Sequence, residues 1–190
     1  MVGSSTASPD QPVFYYDLGS PQCYIVAETI MAMLPVVPEW EPVLGSDIAP
    51  IDREPTDREQ IEHRINELGL QPVRWPPKWP PNTETAMLAA AYAKRIGRAV
   101  AFSLAAFRQA FAGGRDLSDE NTVLIAGAAC EMHPTALRRG IELATTTTAL
   151  KSATDRALNA GVTGLPAIQV GTQVLTGTDA LKAATDLLTT

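Results

Sequence analysis

The pattern of apolar and polar positions begins with a short strand, a helix and a second strand. An apolar, aromatic run from Val13 to Asp17 predicts the first strand. A helical pattern follows Pro21 and ends before the prolines at 35 and 38, after which Trp40 to Leu44 is predicted as a second short strand. Two strands joined through a helix form a right-handed crossover, so we expect them to lie parallel in one sheet.

The middle of the chain is predicted to be helical almost throughout, from Thr83 to about Asn159. Before it, residues 45–55 lack sustained periodicity and are interpreted as a loop, and a capping-box pattern at Thr56 predicts a helix that ends near Leu68. The further helices are predicted at residues 85–95 and 99–112, from a cap at Ser118 to about Cys130, and from starts near Pro134 and Thr147.

The end of the chain returns to a strand pattern at Gly161. Short apolar runs at residues 167–170 and 173–176 are separated by a tight turn and predict an antiparallel hairpin, followed by a helix to Leu188. An early β-α-β unit, a helical block and a late β-β-α unit predict an α/β, thioredoxin-like fold with a large all-helical insertion between its halves. The predicted domains are residues 13–55 with 161–190 for the thioredoxin-like unit, 56–160 for the helical insertion, and 1–12 for a flexible leader.

Composition narrows the choice of partners. The formal net charge is -6, the sequence pI is about 4.9, and the basic residues are scattered, so the chain has no electrostatic footprint for nucleic acid or an anionic membrane. The first residues lack the pattern of a signal peptide, and no apolar run is long enough to span a bilayer. We therefore expect a cytoplasmic protein that binds neither nucleic acid nor membrane.

The cysteines and histidines give no sign of a disulfide framework or a metal centre. The two cysteines, Cys23 and Cys130, are far apart and lie in segments of different character. The two histidines, His63 and His133, have no companion ligands at the spacing of a zinc site. We predict no metal.

The corner between the first strand and the first helix is the strongest local candidate for a functional site. Ser20 can cap the helix and Pro21 can occupy its first turn, so backbone N–H groups and the positive end of the helix dipole converge near Ser20. Such a corner can hold an anion. The same residues can also form a purely structural cap.

A second candidate is the proline-rich stretch from Gln71 to Thr83, which can form neither a helix nor a central strand. In one interpretation it is a linker between helices with a tryptophan folded onto the core. In the other it forms one wall of a substrate pocket, in which Trp75, Lys78 and Trp79 would face a flat or acidic ligand. Asn82 is assigned to the same pocket.

Three motifs carry a resemblance to known proteins: Ser20-Pro21 after the first strand, Gly164-Leu165-Pro166 before the third, and Gly177-Thr178-Asp179 before the last helix. From residue 13 to residue 188 the chain resembles the DsbA-like thioredoxin superfamily. Within it, the serine in place of the first cysteine, the proline-rich loop and the segment 111–117 are similar to the branch that contains 2-hydroxychromene-2-carboxylate isomerases and kappa-class glutathione transferases.

The resemblance implies glutathione or another low-molecular-weight thiol as cosubstrate, with Ser20 as the catalytic residue that activates it. In this branch the serine points at the sulfur of bound glutathione. A hydroxyl that donates a hydrogen bond to sulfur beside a helix N-terminus stabilises thiolate over thiol. Because a free thiol has a pKa of about 8.5, lowering it by about one or two units makes the thiolate a major species at neutral pH.

The other two motifs would bind the rest of the thiol, again by resemblance. The backbone of Leu165 would face the cysteinyl part, and the family's proline, here Pro166, is cis. Thr178 and Asp179 match the positions that hold the γ-glutamyl end. The hydroxyl and backbone N–H groups would bind its carboxylate, and Asp179 would bind its ammonium group.

The sequence also departs from its relatives. Cys23 stands at the second cysteine of a C-x-x-C motif, but Ser20 removes its partner, so a dithiol-disulfide couple within the motif is impossible. Cys23 would then be either a site for a mixed disulfide or merely a small buried apolar residue. Its position beside Ser20 also assigns it to the predicted substrate pocket. Residues 45–50 lack the lysine and asparagine that the isomerases usually have there. Lys78 or Arg74 could supply the positive charge of the missing lysine.

Three functional hypotheses follow. The first is an isomerase or transferase that adds an activated thiol to an aromatic electrophile. The second is a thiol oxidoreductase or redox protein that works through the single Cys23, and the third is a non-catalytic binding module that keeps the fold. Kinship with the kappa class implies a homodimer formed through the helical block. The thiol, the electrophile and the choice between isomerase and transferase are not predicted from the residues.

Overall fold

A four-stranded mixed sheet lies at the centre of the computed structural model, which describes residues 11–49 and 57–189. The strands are β1 (Val13–Tyr16), β2 (Glu39–Pro42), β3 (Ala167–Val170) and β4 (Gln173–Thr176), in the order β2-β1-β3-β4. β1 pairs in parallel with β2 and antiparallel with β3, and β3 and β4 form an antiparallel hairpin. The predicted β-α-β unit, the hairpin and the thioredoxin-like architecture are confirmed.

Helices connect these strands and fill the middle of the chain. In chain order they are α1 (Pro21–Met33), α2 (Gly45–Ile48), α3 (Arg58–Glu67), α4 (Glu84–Arg95), α5 (Ala99–Phe107), α6 (Glu120–Ala129), α7 (Pro134–Glu142), α8 (Ala144–Ala160) and α9 (Ala180–Thr189). α5 continues into a π-helical turn, Arg108–Ala112. The segment predicted as a loop after β2 therefore contains the short helix α2, while residues 50–56, including the predicted cap Thr56, lie outside the described residues.

The start of α6 differs from the sequence prediction because an aspartate forms the cap. The side chain of Asp119 accepts the N–H of Asn121 at 2.9 Å. Ser118 lies one residue earlier, and its own N–H donates to the Asp116 carboxylate at 2.8 Å. Ser118 therefore belongs to the turn before the helix, and the prediction of its capping role is wrong.

The start of α8 also differs, since the helix begins at Ala144 and not near Thr147. Threonine has low intrinsic helix propensity, so the sequence pattern did not predict the first turn of α8. In the structure the Arg95 guanidinium donates to the hydroxyls of Thr145 and Thr146 at 2.7 and 3.1 Å, and Thr146 is fully buried. Tertiary contacts thus extend the helix toward its N-terminus.

Aromatic side chains join the sheet to the helices around it. Phe14 stacks on Tyr16 with ring centroids 5.2 Å apart, and Tyr16 lies 5.9 Å from Phe107. Tyr24 of α1 stacks on Phe111 at 5.6 Å. All of these side chains are buried, so the packing that fixes α1 also fixes the corner at its N-terminus.

Ion pairs strengthen the junction between the helical middle and the sheet. Lys94 of α4 donates to the Glu41 carboxylate of β2 at 2.7 Å, and Arg156 of α8 donates to the same carboxylate at 3.1 Å. Arg108 in the π-helical turn forms two hydrogen bonds to Glu28 of α1, at 2.7 and 2.8 Å. The domain boundaries themselves stay predictions, and those at residues 55 and 56 lie outside the described part of the chain, as do residues 1–10.

Among the helices of residues 11–49 and 57–189, none is both long and apolar enough to cross a membrane.

Candidate functional site

Three segments that are far apart in sequence meet at one end of the sheet. Tyr15 pairs with Ala167 in the antiparallel register of β1 and β3, so the turn after β1 lies beside the residues that precede β3. Ala167 also pairs with Thr176 of β4, and the N–H of Gly177 donates to the carbonyl of Pro166 at 2.9 Å. The structure thereby brings the three predicted site segments together.

Ser20 caps α1 as predicted. Its backbone is extended, with φ -95° and ψ 118°, and its Oγ accepts the N–H of Cys23 at 3.2 Å. The same hydroxyl donates to Oε1 of Gln22 at 3.3 Å, and the side chain is half-buried. A hydroxyl at the positive end of a 13-residue helix can turn from Gln22 and donate to an anionic atom placed at this corner.

The Leu165–Pro166 peptide bond is cis, which confirms the prediction made from the resemblance. Pro166 is buried directly before β3, and Leu165 is half-buried and packs against both apolar clusters of the core. The backbone of Leu165 thus borders the end of the sheet at which Ser20 lies.

Thr178 and Asp179 are exposed and lie directly before α9. The carbonyl of Asp179 accepts the N–H of Ala183 in the first turn of that helix, at 3.0 Å. Within the described part of the chain the Asp179 carboxylate forms no ion pair. The pKa of Lys182 at the same rim is raised, mainly by its hydrogen bond to Asp186 and in smaller part by the charge of Asp179.

A cavity of about 400 Å³ lies between α1, α3 and α9. Of the predicted site residues, Thr178 and Asp179 line this cavity, whereas Ser20, Leu165 and Pro166 do not. The floor of the cavity is apolar and includes Val26, Ile61 and Leu181, and its rim is polar and charged. The rim includes Gln22 of α1, Gln60 and Arg64 of α3, and Thr178, Asp179 and Lys182 at the start of α9.

Sequence reasoning did not find the contributions of Gln22 and α3 to this cavity. Gln22 lies inside the corner motif, one residue before Cys23, but a glutamine on a helix carries no chemical signal of its own. Gln60, Ile61 and Arg64 recur at the spacing of one helix face, and only the tertiary packing turns that face toward α1.

Asp17 is a second residue that sequence reasoning left without a role. It is 4% exposed, and its carboxylate accepts hydrogen bonds from Gly19, Gly45 and Thr83. Burial raises its pKa above the ordinary range for aspartate, while these hydrogen bonds act in the opposite direction. The available signal was an acidic residue directly after an apolar strand.

Cys23 is completely buried beneath the corner. Desolvation raises the pKa of its thiol to about 12, although hydrogen bonding from Ser20 and from the Asp17 backbone lowers it in part. Because the nucleophilic form of cysteine is the thiolate, this thiol is protonated and shielded at neutral pH. Of the two interpretations of Cys23, the geometry agrees with a small buried residue.

The proline-rich loop does not bring its predicted pocket residues into the cavity. Trp75 donates from Nε1 to Glu62 at 2.6 Å, and the Arg58 guanidinium lies 4.8 Å from the centre of its ring. Trp75 also packs partly against the core and does not line the cavity. This placement agrees with the linker interpretation for Trp75.

The other two loop residues are also engaged elsewhere. Lys78 is exposed and pairs with Asp116 at 3.2 Å, and the Asn82 side chain accepts the N–H of Glu84 at 3.2 Å at the start of α4. The end of the loop nevertheless approaches the corner, because Pro81 packs closely against Gly19. The segment next to Ser20 is thus the end of the loop and not its tryptophan-rich middle.

No group of three or more histidine, cysteine, aspartate or glutamate side chains within residues 11–49 and 57–189 has the arrangement of a metal site.

This fold and this corner define a thioredoxin-type protein with a helical insertion, in which a serine replaces the first cysteine of the C-x-x-C motif. The model of the DSBA-like thioredoxin domain family matches residues 13–189, and the chain belongs to this family. No curated protein matches the sequence significantly.

Solved structures with the same fold include both isomerases and oxidoreductases. The chain is similar to a 2-hydroxychromene-2-carboxylate isomerase, with a TM-score of 0.81 over 94% of each chain and 15% identity. It is also similar to a probable DsbA oxidoreductase from Streptomyces coelicolor, with a TM-score of 0.76, 16% identity and coverage of 94% of this chain and 88% of that one. For a DsbA variant from Pseudomonas aeruginosa the TM-score is 0.62 at 14% identity, over 97% of this chain and 89% of that one. At these identities the likeness shows the fold.

Proposed function

We propose that the protein is a thiol-dependent isomerase or transferase that activates glutathione, or a similar low-molecular-weight thiol, for addition to an aromatic electrophile. The observation that carries the proposal is the meeting of the Ser20 corner, the cis Leu165–Pro166 peptide and Thr178-Asp179 at one end of the sheet. In this arrangement a hydroxyl stands at the helix N-terminus where a dithiol protein has its first cysteine.

Each segment has a distinct role in the proposal. Ser20 donates a hydrogen bond to the sulfur of the thiol and, with the dipole of α1, stabilises the thiolate. The backbone of Leu165 holds the cysteinyl part. Thr178 and Asp179 hold the γ-glutamyl end, with Asp179 as the partner of its ammonium group, and the exposure of Asp179 at the rim of the cavity supports this assignment.

The aromatic electrophile would approach Ser20 along the end of the proline-rich loop. Pro81 packs against Gly19, whereas Trp75 and Lys78 have partners on α3 and at Asp116. In the isomerase version the thiolate adds reversibly, so the substrate can open and rotate before the thiolate leaves again. In the transferase version the adduct between thiol and electrophile is released.

The burial of the cysteines does not favour the redox hypothesis, although solved structures with the same fold include oxidoreductases. Cys23 is completely buried, and burial raises the pKa of its thiol to about 12. The other cysteine among the described residues, Cys130, is also buried, and its thiol donates to the carbonyl of Ala126 at 3.0 Å.

Isothermal titration calorimetry with glutathione tests the proposed site. We expect the wild type to bind glutathione, and the pKa of the bound thiol, followed by thiolate absorbance, to lie below the free value of about 8.5. Ser20→Ala should raise that pKa by about one unit, because it removes the hydrogen bond to sulfur. Ser152→Ala is the matched control, since Ser152 is a half-buried serine on α8, away from the site.

Two further comparisons separate the roles. Asp179→Asn should weaken binding of glutathione but leave binding of cysteinylglycine, which lacks the γ-glutamyl group, unchanged. With glutathione present, turnover of 2-hydroxychromene-2-carboxylate indicates an isomerase, and release of a thioether adduct from an activated chloroarene indicates a transferase. Binding without turnover of either substrate would favour the binding module, and the absence of binding by glutathione, cysteine and other small thiols contradicts the proposal.

A further inference from the structure

We propose that Asp17 is the positioning residue of the Ser20 corner, because its buried carboxylate joins the turn that ends in Ser20 to two other segments of the chain. Its importance for thiol activation rests on the proposed function, whereas the junction itself does not. No bound group is needed for this role.

The carboxylate of Asp17 collects donors from three parts of the fold. Oδ1 accepts the N–H of Gly19 at 2.8 Å and the hydroxyl of Thr83 at 2.9 Å. Oδ2 accepts the N–H of Gly45 at 2.9 Å. Gly19 lies one residue before Ser20, Gly45 begins α2 after strand β2, and Thr83 lies directly before α4.

The surroundings of the carboxylate leave little room for side chains on the two glycines. A Cβ atom at Gly19 would lie 2.8 Å from Cγ2 of Thr83, and a Cβ at Gly45 would lie 3.1 Å from Oδ2 of Asp17. A side chain at either position would crowd the carboxylate or its partner Thr83. The Ser20 N–H also donates to the Asp17 carbonyl at 3.1 Å, so the side chain and the main chain of Asp17 hold the same turn.

The three hydrogen bonds form only if both oxygens of the side chain at position 17 accept. A carboxylate accepts on both oxygens, whereas an asparagine amide or a protonated carboxyl presents a donor on one side. That donor would face either Gly45 or the pair formed by Gly19 and Thr83. Asparagine at position 17, or protonation of Asp17, therefore costs at least one of the three hydrogen bonds.

The charge of Asp17 cannot itself activate a thiol. No described cation pairs with it, and its negative charge raises the pKa of the two titratable side chains that it faces, Tyr16 of β1 and Cys23 of α1. The same charge would also raise the pKa of a thiol bound at Ser20. The proposed contribution of Asp17 to thiol activation is therefore positional: it holds the turn that places the Ser20 hydroxyl.

A nuclear magnetic resonance titration tests the junction without any thiol. In the wild type, the amide resonances of Gly19 and Gly45 should titrate together, with one midpoint above the ordinary aspartate value of about 3.9. Thr83→Val keeps the shape of the side chain but removes the hydroxyl that favours the ionised carboxylate, so the shared midpoint should rise. Thr83→Ser keeps the hydroxyl and should retain the wild-type midpoint.

A matched control and a binding measurement complete the test. Thr122→Val makes the same chemical change at a buried threonine on α6 and should leave the Gly19 and Gly45 titration unchanged. Thr83→Val leaves the charge of Asp17 in place, so its effect on thiol binding reports position alone. We expect it to weaken glutathione binding about threefold to tenfold and to raise the pKa of the bound thiol, and we expect Thr83→Ser to restore both.

The outcomes are distinguishable. Gly19 and Gly45 amides that titrate separately, or not at all, overturn the proposed junction. Joint titration with a bound-thiol pKa that Thr83→Val does not move overturns the link between Asp17 and Ser20. If the wild type binds no thiol, the proposed function fails, while joint titration and the midpoint shift in Thr83→Val still support Asp17 as the residue that holds the corner.

Discussion

Replacing Gly19 by alanine adds a methyl group at the contact between the Ser20 corner and the end of the proline-rich loop. The new Cβ would lie 2.8 Å from Cγ2 of Thr83 and 2.9 Å from Cγ of Pro81. Neither neighbour can move easily, since Pro81 is a buried ring and Thr83 is bonded to the Asp17 carboxylate. Overpacking of this kind costs about 1–3 kcal/mol, so we expect the free energy of unfolding to fall by about 2 kcal/mol.

A double-mutant cycle measured by urea denaturation tests this reasoning. Thr83→Ser removes the methyl group that the new Cβ strikes and keeps the hydroxyl, but the contact with Pro81 remains. The double variant should therefore recover about half of the loss, a coupling energy of about 1 kcal/mol. Gly164→Ala is the control, because its Cβ would meet no atom within 4 Å and its φ lies outside the left-handed region.

The Gly164→Ala control also measures the effect of replacing glycine by alanine on the unfolded chain. Where the site has room, this replacement raises the free energy of unfolding by a few tenths of a kcal/mol or more. A Gly19→Ala protein as stable as the Gly164→Ala protein would show that the corner yields to the methyl group. Strict additivity of Gly19→Ala and Thr83→Ser would refute the assignment of the strain to the Thr83 methyl.

Three further predictions concern the corner. Cys23→Ala should retain glutathione affinity, and wild-type Cys23 should react with iodoacetamide at neutral pH far more slowly than free cysteine; rapid labelling in the native state contradicts its raised pKa. Ser20→Cys should allow a disulfide with Cys23 under mild oxidation, detected as two fewer free thiols than in the reduced variant, and two persistent thiols at these positions would argue against a C-x-x-C geometry. Because burial raises the pKa of Asp17, the native state binds a proton at this carboxyl more tightly than the unfolded chain does. The free energy of unfolding of the wild type, measured relative to that of Asp17→Asn, should therefore fall as the pH rises through the Asp17 pKa. A free-energy difference between the two proteins that stays constant or grows with pH contradicts that direction.

The sheet could be predicted because its signals are local. The apolar run at Val13, the prolines that end α1 and the tight turn at Gly171 each lie within a few residues of the element they define. The cap formed by Ser20 is local as well, since its partner Cys23 is three residues away. The cis peptide before Pro166, in contrast, was predicted from the resemblance and not from the neighbouring residues.

The contacts that complete the site could not be predicted because their partners are distant in sequence. The donors to Asp17 come from positions 19, 45 and 83, and no local pattern connects them. Trp75 shows the same limit. The composition of the proline-rich loop was compatible with either a pocket wall or a linker. The partners of Trp75, Arg58 and Glu62, lie on a helix whose sequence did not indicate a contact with the loop.

A dithiol motif stabilises a thiolate at the helix N-terminus and also uses that thiolate to form disulfides. In this protein Ser20 keeps the first of these features without the second. In a C-x-x-C protein the thiolate at the helix N-terminus belongs to the protein and exchanges disulfides with its partners. A hydroxyl cannot form such a disulfide, and Cys23 is buried with its thiol pKa raised to about 12. The features that favour a negative charge on sulfur, a helix N-terminus and a hydrogen-bond donor, remain at Ser20. In the proposed function these features act on the sulfur of a bound thiol, so the proposed chemistry is addition of that thiol to an electrophile and not disulfide exchange.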